Sequence, residues 1–212
     1  MTTLILLRHG ESEGNKAAWF AGSTDVPLTD RGRQQAKMAS EYLKQYKIDT
    51  IYASDLQRAY DTALPTAKSQ GLSIISDKFL REIDAGEWEG MLYDDIVKKF
   101  GENYNLWLTD IGNAKTDGGE SVAELYARIT REIQKIADEN EGKTVCIATH
   151  ATPIRMFQCY ALGKPASYAA HVPWVPNASV TVYTYDAGKY NLVCEGVNSY
   201  LGDLATVFTK NV

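Results

Sequence analysis

An α/β fold, a three-layer sandwich with helices on both faces of a mostly parallel central sheet, follows from three features of this 212-residue sequence. Apolar runs of strand length occur at Leu4–Leu7, Ile48–Ala53 and Thr144–Thr149. Stretches with helical periodicity lie between them, and strands alternating with helices build a mostly parallel sheet covered on both sides. Near the end, two alternating stretches flank a turn, so at least one late strand runs antiparallel.

The elements can be justified in order. Leu4-Ile5-Leu6-Leu7 runs straight into Arg8-His9-Gly10-Glu11. Thr29 is a plausible N-cap for a helix with Ala36, Ala39, Leu43 and Tyr46 on one face. The strand at Ile48–Ala53 ends in Ser54-Asp55-Leu56-Gln57-Arg58, where Ser54 and Gln57 have capping-box spacing and Arg58 falls in the first helical turn. The stretch from Met91 to Gly119 is rich in Tyr, Trp, Asn and Gly, with only short helical patterns. It reads as an insertion, a helical and loop lid rather than core. Val122, Leu125, Ile129, Ile133 and Ile136 form a long apolar stripe behind Ser121 and Glu124, again in capping-box spacing. Thr149-His150 ends the next strand, and Thr152-Pro153 suits N-cap and N1 of another helix. Finally, Ala178–Tyr185 and Tyr190–Val197 flank Asp186-Ala187-Gly188-Lys189, a hairpin signal. There is no internal repeat or linker, so residues 1–212 are expected to form one domain with the lid at about residues 91–119.

Composition narrows the function. The net charge of −5 gives no general reason to bind nucleic acid, so an anionic substrate needs locally gathered positive charge. No window approaches the ~20 apolar residues of a membrane span. Met1-Thr2-Thr3 passes directly into the first strand pattern, without basic leader or cleavage site, and a cytoplasmic location is expected. Cys146, Cys159 and Cys194 are far apart and odd in number, which argues against a disulfide framework or a zinc site. Monomer and homodimer are both compatible with the sequence.

Three polar motifs share one placement. Arg8-His9-Gly10, Ser54 to Arg58, and Thr149-His150 each end a strand and precede a helix. In open α/β sheets ligands bind beyond the carboxyl ends of the strands. Helix N-termini there offer free N–H groups and partial positive charge. Two arginines and two histidines converging on such a place suit phosphate, because guanidinium groups bind its oxygens bidentately.

At these residues the sequence resembles the histidine phosphatase superfamily, also called phosphoglycerate mutase-like, over nearly the whole chain. The resemblance rests on Leu7-Arg8-His9-Gly10-Glu11 with Asn15, on Asp25-Val26-Pro27-Leu28-Thr29 with Gly32 and Gln35-Ala36, and on Ser54-Asp55-Leu56-Gln57-Arg58-Ala59 with Thr62-Ala63. It continues through Glu82-Ile83-Asp84-Ala85-Gly86-Glu87-Trp88-Glu89-Gly90, Gly119-Glu120-Ser121, Thr149-His150 and Pro176-Asn177-Ala178-Ser179. The resemblance implies that His9 attacks phosphorus and carries a phosphohistidine. It implies that Arg8, Arg58 and His150 bind the phosphoryl oxygens with help from Asn15, and that Glu82 is the general acid, then the base for water. It implies no metal and no cofactor. Spacing alone does not separate Glu82 from Glu11, Glu87 and Glu89; the family motif makes that choice. To donate a proton Glu82 must be protonated, which burial under the insertion would favour.

Two departures from the family pattern stand out. Ala151 follows the second histidine where glycine is usual, and it still offers a backbone N–H to phosphate. The asparagine-glutamate-arginine-histidine-tyrosine-glycine stretch of cofactor-dependent mutases is replaced by Arg81-Glu82-Ile83-Asp84-Ala85-Gly86. That favours hydrolysis over mutase chemistry, and with the metal independence that the resemblance implies the expected activity is metal-independent hydrolysis of a small phosphorylated metabolite. The alternatives are a phosphoglycerate mutase and a non-catalytic phosphate-binding protein on the same fold. Candidates for the substrate wall are Trp19, Phe20, Ser23 and Thr24 after the first strand, Tyr104 and Trp107 in the insertion, and Trp174.

Overall fold

The structure, a computed structural model, describes residues 1–206; the last six residues of the expected domain lie outside the described residues. In chain order the strands are β1 (Thr2–Arg8), β2 (Thr50–Ala53), β3 (Ile74–Ser76), β4 (Thr144–Thr149), β5 (Val180–Asp186) and β6 (Lys189–Val197). They form one sheet in the order β3-β2-β4-β1-β5-β6. The first four in that order are parallel, while β5 runs antiparallel to β1 and to β6. The helices are α1 (Glu13–Ala17), α2 (Asp30–Leu43), α3 (Gln57–Gln70), α4 (Tyr93–Lys99), α5 (Gly101–Thr109), α6 (Val122–Glu139) and α7 (Ala151–Ala161).

The period-2 geometry of β1 sorts its side chains between two cores. Ile5 and Leu7 join Ile51, Cys146 and Ala148 beneath α2 and α3. Leu4 and Leu6 join Val145 and Ile147 beneath α6 and α7. Helices α2 and α3 cover one face of β1 and α6 and α7 the other, which is why its run is continuously apolar. The predicted stripe of α6, from Val122 to Ile136, is wholly buried. Ser121 and Glu124 form the reciprocal capping box, and Thr29 caps α2 by accepting from the Gly32 N–H. At the hairpin, Ala187 and Gly188 both have positive φ (47° and 83°), as a two-residue primed turn requires.

Local spacing misled at two helix starts. Ser54 does not cap α3. The N-cap is Leu56, and the Ser54 hydroxyl instead accepts from the Leu56 N–H and bonds to His150. Thr152-Pro153 does not open α7 either. The cap is His150, so α7 begins two residues earlier than its sequence signal. The strand expected from Ile48 starts at Thr50, because Asp49 turns its carboxylate to accept from the Thr144 N–H. The short β3 gave no pattern: of its three residues only Ile74 is even half-buried.

The region 91–119 is not peripheral to the core. Ile96, Tyr104, Trp107, Ile111 and Ala114 are buried in the same cluster as Leu4 and Leu6. Trp88 anchors it, edge-to-face with Phe20, Tyr104 and Trp107 at ring separations of 5.6–6.1 Å. Its indole N–H donates to Asp117. Among the described residues no helix is long and apolar enough to cross a membrane.

Candidate active site

The carboxyl ends of β1 and β4 lie side by side, with Arg8 paired to Thr149. That register brings the next residue of each chain segment, His9 and His150, to a ring separation of 5.1 Å. A close backbone crossing lies behind them. A Cβ on Gly10 would stand 2.6 Å from the Gly32 carbonyl oxygen, and one on Gly32 would stand 2.0 Å from that of Glu11. Only glycine lets these two backbones pass at this distance. The His9 carbonyl accepts from the Ala178 N–H and the Asn177 amide, so the late Asn177-Ala178 motif pins the same point.

The His9 imidazole has a defined proton position. Its Nδ1 lies 2.7 Å from the Gly10 carbonyl oxygen, which can only accept. Nδ1 therefore carries the hydrogen, and Nε2 keeps its lone pair. Burial first, then the positive charges of Arg58 and Arg8, push the His9 pKa well below 6.5. His150 is likewise depressed, by burial first and then by Arg58 and His9. Its Nε2 is 2.9 Å from the Ser54 hydroxyl, and its buried Nδ1 has no hydrogen-bond partner among the described residues.

Two guanidinium groups accompany the histidines. Arg8, buried, donates from Nη1 to the Val175 carbonyl at 2.6 Å. Arg58, in the first turn of α3, donates to the Thr24 and Gly22 carbonyls at 2.8 and 2.7 Å. Burial lowers each to about 10, so both stay charged at neutral pH. Asn15 sits in the first turn of α1. Its carbonyl oxygen accepts from Ser12 and Asn177 and is thereby held in place.

A cavity of about 70 Å³ opens here, walled by Arg8, His9, Asn15, Arg58, Glu82 and Ala151, with aromatic rings from Trp19, Phe20, Tyr93, Trp107 and Trp174. Glu82 is half-buried rather than sealed beneath the insertion. Its two oxygens accept from the N–H groups of Ile83 (2.9 Å) and Thr152 (3.2 Å), the latter in the first turn of α7. The three rival carboxylates are committed elsewhere. Glu11 accepts from the Thr29 hydroxyl. Glu87 pairs with Lys99 at the surface. Glu89 braces the 21–24 loop, accepting from Ser23 N, Ala85 N and the Thr24 hydroxyl.

Several expected wall residues lie elsewhere. Ser23 and Thr24 are drawn to Glu89, and Thr24 meets the site only through its carbonyl on Arg58. Tyr104 is buried against Trp88. His150 stands behind His9 rather than on the cavity wall. Sequence reasoning missed Ser12, Ala21, Gly22, Tyr93 and Thr152 on the wall, and it gave Ser54 the wrong partner. No local pattern distinguishes Tyr93 from other tyrosines; it arrives with the start of α4. Trp174 is held over the cavity by Arg155, whose guanidinium lies 4.2 Å from the ring while donating to the Val172 and Ala169 carbonyls. Among the described residues, no three His, Cys, Asp or Glu side chains are placed to share a metal ion.

Comparison with known proteins agrees with this fold. The profile of the histidine phosphatase superfamily (branch 1) matches residues 4–198. Phosphoserine phosphatase 1 of Hydrogenobacter thermophilus is 36% identical over 167 residues, covering 79% of each chain. Phosphoglycerate mutase-like protein 4 of Arabidopsis thaliana is 35% identical over 206 residues, covering 93% of this chain and 86% of its own. The solved structure of Bacillus stearothermophilus YhfR superposes with a TM-score of 0.90 at 30% identity, over 95% of this chain and all of the other. The chain belongs to the histidine phosphatase superfamily and is a phosphoric monoester hydrolase.

Proposed function

We propose that the protein hydrolyses a small phosphomonoester at this cavity through a phosphohistidine on Nε2 of His9. The observation that carries the reading is the hydrogen bond from Nδ1 of His9 to the Gly10 carbonyl. It fixes the tautomer, while burial and the two arginines keep the ring unprotonated and nucleophilic near pH 7. Nε2 forms a bond to phosphorus as the bond to the ester oxygen breaks. Glu82 gives its proton to the departing oxygen. Water then attacks phosphorus, Glu82 takes up its proton, and the P–N bond breaks so that His9 recovers its lone pair. Arg8, Arg58, the Asn15 amide and the free Ala151 N–H at the start of α7 hold the oxygens on which charge develops. The Ser54 hydroxyl accepts from Leu56 and donates to Nε2 of His150, so the neutral His150 ring carries its hydrogen on Nδ1, a donor behind His9.

The wall supports hydrolysis over phosphoglycerate interconversion. Among the described residues its cations are Arg8 and Arg58, and both serve the phosphoryl group. A second anionic group on the substrate would meet aromatic rings instead of a third cation. Phosphoserine and phosphoglycerates belong in the substrate panel beside neutral alkyl and aryl phosphates. The experiment is hydrolysis of an aryl phosphate in the presence of a chelator, followed by kcat/KM over a metabolite panel. His9→Ala should abolish turnover and the acid-labile phosphoryl label while leaving the fold intact. Activity retained in that variant would sink the reading.

A further inference from the structure

The segment carrying Glu82 has no strand or helix of its own. Residues 81–85 run between 3₁₀ turns at Lys78–Leu80 and Gly86–Trp88. Asp55, Thr116 and Glu89 hold Arg81, Asp84 and Ala85, and one side chain on α6 gathers the carbonyls around Glu82 itself. Arg128 donates from Nη1 to the carbonyls of Phe79 (2.8 Å) and Arg81 (3.1 Å), and from Nη2 to that of Glu82 itself (3.3 Å). Its other edge forms a fork with Glu120, Nε to Oε1 at 2.9 Å and Nη2 to Oε2 at 2.8 Å. These contacts engage all five N–H groups of the guanidinium, so none is left for a ligand. Glu120 is tied to the same segment through its backbone, its N–H donating to the Asp84 carbonyl at 2.8 Å. Both side chains are largely enclosed, 17% and 15% exposed. Glu120 also balances the charge of Arg128, whose field is the last-ranked influence on His150.

We propose that Arg128, held in place by Glu120, is a positioning residue for Glu82. It fixes the backbone from which the proton donor reaches the leaving oxygen. This rests on the reading of Glu82 as the general acid. A donor must come within about 2.6–3.2 Å of the oxygen it serves, and a misplacement of about 1 Å can cost up to ~10²-fold. Lysine keeps the charge but cannot span three carbonyls and a carboxylate.

The test uses the leaving group. For this reaction kcat/KM reports steps up to P–O cleavage. Nitrophenolate leaves without protonation, whereas the alkoxide of a primary alkyl phosphate does not. In the purified enzyme, Arg128→Lys should lower kcat/KM for the alkyl ester by about 10–100-fold and leave the nitrophenyl ester close to wild type. Inhibition by inorganic phosphate should not change, because the phosphate cradle is untouched. Glu120→Gln, which keeps one arm of the fork, should show the same selectivity with a smaller loss and serves if Arg128→Lys folds poorly. In a Glu82→Gln background, Arg128→Lys should add no further selective loss. Equal losses on both esters with weakened phosphate inhibition would make Arg128 a general structural support and overturn the proposal, as would no loss on either ester. If Glu82→Gln itself lacks leaving-group selectivity, the assignment of Glu82 fails first. If it is selective and Arg128→Lys is not, only the positioning role fails.

Discussion

Mild acid should destabilise this protein through its two buried histidines. His9 and His150 are kept neutral by burial first and then by Arg58 and their other neighbours. Their pKa values lie well below the 6.5 at which an unfolded chain titrates. Below pH 6.5 the unfolded chain therefore takes up two protons that the native state refuses, and stability falls as pH falls. Each proton of difference is worth about 1.4 kcal/mol per pH unit, so the pair gives a slope approaching about 3 kcal/mol per pH unit. Total stability of an ordinary domain is only about 5–15 kcal/mol, so this effect is large. Asp61 and Asp77, raised by burial first, oppose the histidine slope at the acid end of the window, so the histidine substitutions isolate the histidine contribution. Asp55, depressed by its hydrogen bond to Arg81, loses its contribution only below the ordinary carboxylate range. Urea unfolding at several values between about pH 5 and 8 measures the slope. His9→Asn and His150→Asn should each roughly halve it. A flat wild-type profile, or a slope that neither substitution changes, would refute the reasoning.

Other perturbations address the frame of the site. Gly32→Ala places a methyl group 2.0 Å from the Glu11 carbonyl. Backbone must move, so a loss of about 3 kcal/mol or more should appear in thermal unfolding, and an unchanged midpoint contradicts the crossing. Trp88→Ala empties the centre of the aromatic cluster that joins the insertion to Phe20. It should cost about 3–5 kcal/mol by denaturant unfolding; a cost below about 1 kcal/mol would mean that the cluster does not anchor the insertion. Arg58→Lys keeps a charge but cannot span the Gly22 and Thr24 carbonyls and a phosphoryl group together. It should lower kcat/KM by about 10–100-fold, and wild-type kcat/KM would remove Arg58 from the phosphate site.

How far each feature could be read depended on where its partners lie. Thr29 and Ser121 are legible as caps because their partners, Gly32 and Glu124, are three residues away. Ser54 has the same local spacing, yet its hydroxyl is taken by His150, 96 positions later. The insertion reads as a lid because tyrosines, tryptophans and asparagines resemble a surface in sequence. Its tryptophan and tyrosine are core only because Trp88 and Phe20 arrive from elsewhere in the chain. Glu82 could not be separated from Glu11, Glu87 and Glu89 by spacing. Tertiary hydrogen bonds and an ion pair commit the other three and leave Glu82 on the cavity wall.

The sequence by itself determined five of the six strands, the alternation of strands and helices along the chain and the polar residues at the strand ends. Buried strands and amphipathic helices write their burial into short-range periodicity, and Arg8-His9-Gly10 follows directly from the end of one such strand. Tertiary structure alone decided what those residues do to one another. The β1–β4 register sets His9 against His150, and the Gly10 carbonyl fixes the proton of His9. Arg128 holds the loop of Glu82 from a helix that begins 40 residues after it. Such hydrogen bonds are directional and join positions far apart in sequence, so no local pattern encodes them.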